Sequence, residues 1–264
     1  MHTREEKIQA FGRLLDIMDT LREKCPWNAE QTFDSIRRIT EEEVYELSDS
    51  ILEGDRKATA KEIGDLLYHM VFYARIGQEE GAFDIADRID KVCDKMVFRH
   101  PHVFGQEAGK ETSAKEIADT WELVKAKEKG GNKRVLDGIP RTMPALLKAL
   151  SMQEKARGCG FDWEKKEDVW EKVKEEVSEV SDAVSKGTEK DMEMEFGDLL
   201  FSVINAARLY GVDPENALNA SSEKFRRRFN AIEDNALNSG RSLSELTLEE
   251  MDILWNLAKK AGNK

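Results

Sequence analysis

The sequence predicts an all-α protein built as two tandem helical bundles, and three observations predict it. Acidic motifs recur at a fixed offset along the chain, and apolar residues recur with helical period. Turn-forming residues are scarce, with 5 Pro and 17 Gly in 264 residues, fewer than the many turns of a β-sandwich or barrel demand. Charged residues make up 36% of the chain and hydrophobic residues 40%, so a core is affordable while most of each helix must face water. The apolar runs are only a few residues long, far short of the about 20 that a membrane helix needs. Residues 1–6 are polar and charged, without the apolar stretch of a signal peptide. Cys25, Cys93 and Cys159 are odd in number and outside any CxxC spacing, which argues against a disulfide framework. The expectation is a cytoplasmic protein with no membrane partner.

The repeat orders the rest. Glu42-Glu43-Val44-Tyr45-Glu46 is echoed by Glu175-Glu176-Val177-Ser178-Glu179, and Glu62-Ile63-Gly64-Asp65 by Glu195-Phe196-Gly197-Asp198. Every pair lies 133 positions apart, so both copies read EExxE, fifteen residues, then ExxD. Lys95 and Arg99 answer to Lys224 and Arg228, and Trp121 to Trp255, at slightly different offsets. Between the copies lies the polar, Gly-rich stretch 129–133, of linker character. Two domains, 1–134 and 135–264, follow from this arrangement.

Each copy divides into helices. Val44, Leu47 and Ile51, then Ile63, Leu66, Leu67, Met70, Val71 and Ala74, form apolar stripes in the first copy. Val177, Val180 and Val184, then Phe196, Leu199, Leu200, Val203 and Ile204, do so in the second. Thr40 with Glu43, and Ser113 with Glu116, have the form of capping boxes. Gly54-Asp55 and Gly187-Thr188 mark turns between the motif helices, and Asp213-Pro214 reads as an N-cap followed by Pro. Further helices fit 5–22, 85–99, 114–127, 143–157, 215–236 and 248–260, which gives about five per copy.

The charge is concentrated where the motifs are. Thr40 to Asp65 holds nine acidic and three basic residues, Glu175 to Asp198 nine acidic and two basic, while the whole chain carries −12. Such surface repels a nucleic-acid backbone and suits divalent cations. Solvated helix faces would explain one acidic run, and Glu43 alone could be a capping residue. Two copies with equal gaps favour a metal site. Residues three or four apart share a helix face, so Glu176 with Glu179, and Glu195 with Asp198, converge once their two helices pack antiparallel. Four carboxylates in one cleft raise one another's pKa unless a cation neutralises them. Oxygen donors without Cys or His favour Mg²⁺, with Mn²⁺ as a substitute.

Mg²⁺ completes its shell with water and phosphates, so a phosphorylated ligand is expected. Lys224 and Arg228, repeated as Lys95 and Arg99, are candidates for phosphates, whereas Arg226 and Arg227 fit surface ion pairs. Trp255 either stacks on a nucleobase or fills a core position beside Met251 and Leu254. Gly105 to Lys110 is too short for a P-loop and is followed by Glu. His100 and His102 lack a third ligand nearby, Cys25 reads as structural, and the helix from Leu248 suits a dimer contact better than a membrane.

The doubled EExxE and ExxD, with Cys25-Pro26-Trp27-Asn28, His100-Pro101-His102-Val103-Phe104 and Leu136-Asp137-Gly138-Ile139-Pro140, resemble the MazG family. These are bacterial two-copy nucleoside triphosphate pyrophosphohydrolases of the all-α NTP pyrophosphatase superfamily. The resemblance covers nearly the whole chain. It implies Mg²⁺-dependent hydrolysis of nucleoside triphosphates between the α and β phosphates, and a homodimer. Carried onto this sequence, it implies metal ligands at Glu176, Glu179, Glu195 and Asp198, with Glu43, Glu46, Glu62 and Asp65 in the first copy. It implies nucleotide contacts at Lys172, Glu175, Lys224, Arg228 and Trp255, with Glu175 either orienting or deprotonating the attacking water or contacting only the nucleotide or a second metal. The copies differ, since Ile39 stands where Lys172 does and His69 where Ser202 does. The resemblance implies that the C-terminal copy is the principal catalytic one, and the loss of Lys172 leans the same way. The first copy keeps all four ligands, Lys95, Arg99 and Trp121, which leaves its own turnover open. A non-catalytic nucleotide or metal sensor is the alternative from another class, and a narrow dUTPase-like enzyme a third reading.

Overall fold

The computed structural model describes residues 1–105, 108, 113–114, 116–117, 121, 124–125 and 134–261. Among these, the regular structure is helical and no strand occurs. The chain divides into two compact units, Met1–Glu111 and Thr112–Lys264. The linker expected at 129–133, and most of the helix expected at 114–127, lie outside the described residues. The boundary expected at residue 134 adjoins them.

The first unit comprises α1 (Arg4–Lys24), α2 (Pro26–Glu30), α3 (Phe33–Glu53), α4 (Arg56–Glu79), α5 (Ile85–Arg99) and α6 (Pro101–Phe104). The two long motif helices α3 and α4 pack together, with α1 and α5 against α4. Met18 of α1, Ile36 of α3, and Val71, Phe72 and Ile76 of α4 form the core. Arg22 pairs with Glu79 and donates to the carbonyls of Asn28 and Gln31, which ties α1 to the end of α4 and caps α2. Thr40 Oγ1 and Tyr73 Oη, 2.8 Å apart, link α3 to α4.

The start of α3 differs from the sequence reading. Thr40 is mid-helix and its hydroxyl donates to the Ile36 carbonyl, so the Thr40–Glu43 capping box does not exist. The N-cap is Thr32, boxed with Ser35. Burial of Ile36 and packing of Phe33 against the core draw the two turns before Thr40 into the helix. At its end, Gly54 adopts the left-handed conformation, φ 73°, which favours Gly. Asp55 then caps α4 through the Lys57 and Ala58 amides. The Ser113–Glu116 box and the Asp213 cap ahead of Pro214 are present as expected.

The second unit contains α7 (Ala145–Gly158), a 3₁₀ turn (Lys166–Asp168), α8 (Val169–Lys186), α9 (Glu189–Leu209), α10 (Pro214–Asn238) and α11 (Leu248–Ala261). Here α8 and α9 are the motif pair, α7 packs on α9 and α10, and α11 packs on α10. Gly187 and Thr188 make the turn between α8 and α9, with Thr188 boxed to Asp191.

The apolar stripes are only partly buried. Val71 and Ala74 are in the core, while Val44, Ile51, Ile63, Leu67 and Met70 are exposed, as are Val177, Val184, Phe196, Leu200 and Val203. The motif helices are apolar around more of their circumference than their own unit covers. No described helix is long and apolar enough to cross a membrane.

Candidate metal and nucleotide site

The antiparallel motif pairs bring acids from both helices together. In the first unit Glu43, Glu62 and Asp65 each offer an oxygen within 4.8 Å of the others. In the second, Glu176, Glu179 and Glu195 do so. The fourth expected ligand differs between copies, being Glu46 in one and Asp198 in the other. Asp198 is exposed and lines the adjoining cavity instead.

The donor set fits a hard divalent cation. Glu43 and Glu176 each hold one carboxylate oxygen, Oε2, buried with no hydrogen-bond partner among the described residues, an unfavourable state that a cation would relieve. Burial first, then the charges of Glu46, Asp65 and Glu62, raise the Glu43 pKa. Burial, then Glu176 and Glu195, raise that of Glu179.

Lysines border both clusters. Lys172 Nζ lies 2.9 Å from Glu175 Oε1 and 2.7 Å from Glu176 Oε1. Lys61 Nζ lies 3.0 Å from Glu62 Oε1 and 3.3 Å from Asp65 Oδ2. Each ammonium is held protonated above its ordinary range by these carboxylates.

Beside the second cluster opens a cavity of about 1020 Å³, at the upper end of the roughly 300–1,000 Å³ typical of small-molecule sites. Lys172, Glu176 and Asp198 belong to its wall, so the acids and the cavity are continuous. Phe161 and Trp163 of the α7–α8 connection, Gln153 of α7, and Ser202, Asn205 and Arg208 of α9 are among its other lining residues. Gln153 is 6% exposed. Its Nε2 donates to the Phe201 carbonyl, which fixes the amide and leaves Oε1 buried without a donor among the described residues. Asn205 Oδ1 accepts from Arg208, whose Nη1 also reaches Asp162 Oδ2 at 3.0 Å. Burial alone would raise the Asp162 carboxyl, but hydrogen bonds from Arg208 and the Trp163 amide outweigh it and lower its pKa.

The sequence reading missed this wall. Its signal was a polar residue inside an apolar helical run, Gln153 in α7 and Asn205 between Ile204 and Ala206. At the 133 offset, Asn205 and Ser202 correspond to Phe72 and His69, and both of these are buried.

The remaining expected contacts group apart. Arg228 lies over the Trp255 ring at 5.5 Å, and Phe225 tilts against the same ring, which joins α10 to α11. Lys224 is exposed on α10. No hydrogen bond or ion pair among the described residues links Lys224, Arg228 or Trp255 to the acidic cluster, and none of the three lines the cavity. Arg226 pairs with Glu223. His100 Nδ1 is 2.6 Å from the Met96 carbonyl, a helix-end contact. Cys25 is only half-buried and caps α2.

Comparison with known proteins adds four findings. A family model described as the MazG nucleotide pyrophosphohydrolase domain matches residues 31–104 and 164–232. The chain is 42% identical over 252 residues to the nucleoside triphosphate pyrophosphohydrolase/pyrophosphatase MazG of Thermotoga maritima, across 94% of this chain and 95% of that protein. It is 40% identical over 260 residues to a nucleoside triphosphate pyrophosphohydrolase of Escherichia coli K12, across 96% and 98%. It is also 43% identical over 263 residues to the Bacillus subtilis protein YabN, across 97% of this chain and 53% of that longer protein.

Proposed function

The chain belongs to the MazG family and is a nucleoside triphosphate pyrophosphohydrolase, and we propose that its C-terminal copy carries the reaction, with Mg²⁺ and at the bond between the α and β phosphates. The observation that carries this reading is the shared wall: Glu176, with Lys172 paired to it, belongs to both the carboxylate cluster and the cavity, and Asp198 lines the cavity beside them. That arrangement suits a triphosphate beside the acids with its nucleoside in the cavity.

Glu176, Glu179, Glu195 and Asp198 would hold the metal. A bound divalent ion supplies charge neutralisation on the phosphates and a more acidic water nearby. The chain's own groups do the rest. Lys172 turns its ammonium from Glu175 and Glu176 to a phosphate oxygen, a charge-assisted contact. Glu175, freed of that pair, accepts a proton from the attacking water. The water oxygen forms a bond to the α-phosphorus as the bond to the bridging oxygen breaks, which releases pyrophosphate and the nucleoside monophosphate. Phe161 and Trp163 present apolar surface to the base, while Asn205 Nδ2 offers a donor to its edge. Lys224, Arg228 and Trp255 are assigned to the nucleotide on resemblance alone. They would have to approach from another face.

The exposed apolar residues of the motif helices, Val177, Phe196 and Leu200 among them, support a homodimer in which a second copy covers them. The equivalent set Glu43, Glu46, Glu62 and Asp65 is the metal set of the first copy, and a cytoplasmic location completes the reading. Product analysis tests it: nucleoside triphosphate with Mg²⁺ should yield monophosphate and pyrophosphate in equal amounts, whereas diphosphate and orthophosphate would contradict it.

A further inference from the structure

Each copy places one lysine among its acids, but from opposite helices. Lys172 belongs to the first motif helix of its pair, α8, and its counterpart in the other copy is Ile39. Lys61 belongs to the second motif helix, α4, and its counterpart is Met194. The consequences for the carboxylates differ. Lys172 divides its charge between Glu175, outside the ligand set, and Glu176, and it lines the cavity. Lys61 spends its charge wholly inside the ligand set. Its Nζ lies 3.0 Å from both Glu62 oxygens, 3.3 Å from Asp65 Oδ2 and 3.9 Å from Glu46 Oε2. Further along α4, Phe72 stands where the cavity-lining Asn205 does in the second unit, and it is in the core at 0% exposure.

We propose that Lys61 is a tethered competitor for the divalent ion at the first cluster, so that this cluster binds metal more weakly than it would without the lysine. The inference rests on the reading of the repeat acids as metal ligands. A cation entering between Glu43, Glu62 and Asp65 must displace the ammonium from two of the three. Each exposed contact is weak, but three of them sharing one ammonium amount to about tenfold in affinity. The lysine side chain is 64% exposed, so it can swing out, and it competes without closing the site.

The test is Mn²⁺ titration of the full chain without nucleotide, followed by the electron paramagnetic resonance of free Mn²⁺. A Glu176→Gln/Glu195→Gln background disables the second cluster. In that background Lys61→Met, which installs the side chain that α9 carries at the matching position, should tighten Mn²⁺ binding about tenfold. Lys61→Arg, which keeps the cation, should leave it unchanged. Lys61→Gln provides a second neutral variant, with helicity checked by circular dichroism. Neutral variants that bind Mn²⁺ no better than the background, or worse, overturn the inference; weaker binding would mark Lys61 as support for the metal. If the unmutated chain binds no Mn²⁺ at all, the metal reading itself fails. If it binds at the second cluster and Lys61 proves indifferent, only this inference fails.

Discussion

Lys172 Nζ sits 2.7 Å from Glu176 Oε1, while Oε2 of the same carboxylate is buried with no hydrogen-bond partner among the described residues. One carboxylate thus faces a mobile cation on the cavity side and an unsatisfied interior on the other. The lysine is free to serve a phosphate once the acid is otherwise neutralised. Lys172→Met should therefore lower kcat/KM by about 10–100-fold, the scale of a lost charge-assisted contact, and should not weaken Mn²⁺ binding. A variant that loses Mn²⁺ instead would make Lys172 a support of the cluster alone.

The cavity predicts an effect on nucleotide binding. Asn205→Phe, which places the side chain of the first copy in the wall, should raise KM for nucleotide at least about tenfold as the cavity fills. Circular dichroism should stay unchanged. Unaltered KM would show that the nucleoside binds elsewhere.

Phe72→Ala should destabilise the first unit by about 3–5 kcal/mol, the usual cost of deleting a fully buried aromatic side chain. Phe72 is 0% exposed and central to the core with Met18 and Ile36. Urea denaturation measures it. A loss under about 1 kcal/mol would mean that the core collapses around the gap.

Metal and protons should compete. The folded pKa values of Glu43 and Glu179 are raised, so between the ordinary carboxylate range and those raised values the folded chain binds more protons than the unfolded one. Through that window these two groups make the cation-free protein less stable as pH rises. Mg²⁺ relieves the same repulsion. The rise in Tm on adding Mg²⁺ should therefore be larger at pH 7 than at pH 5, as differential scanning calorimetry would show. An equal rise at both would detach the cation from these acids.

Much of this was legible in the sequence because helix and motif share a period. Glu176 with Glu179 is one face of α8 in any context, and the 133-residue offset repeats that face in α3. Local chemistry also fixed the cap at Asp213 and the turn at Gly54. The start of α3 was not legible, since the Thr40 pattern satisfies a cap locally and only tertiary burial of Ile36 extends the helix past it. The cavity wall was hidden for a related reason: Gln153, Asp162 and Asn205 are far apart in sequence and meet only when α7 packs on α9. Lys61 belongs to no motif, and its partners sit on the facing helix as well as its own. The exposed stripe residues show the limit of periodicity, which marks an apolar face without saying which surface covers it.

The central claim is that catalysis resides where the cluster meets the cavity. Pyrophosphate release from a panel of nucleoside triphosphates with Mg²⁺, compared among the unmutated chain, Glu176→Gln and Glu43→Gln, tests it most directly. The account predicts that Glu176→Gln abolishes release and that Glu43→Gln has the smaller effect. Release that survives Glu176→Gln, or that falls with Glu43→Gln instead, would contradict it.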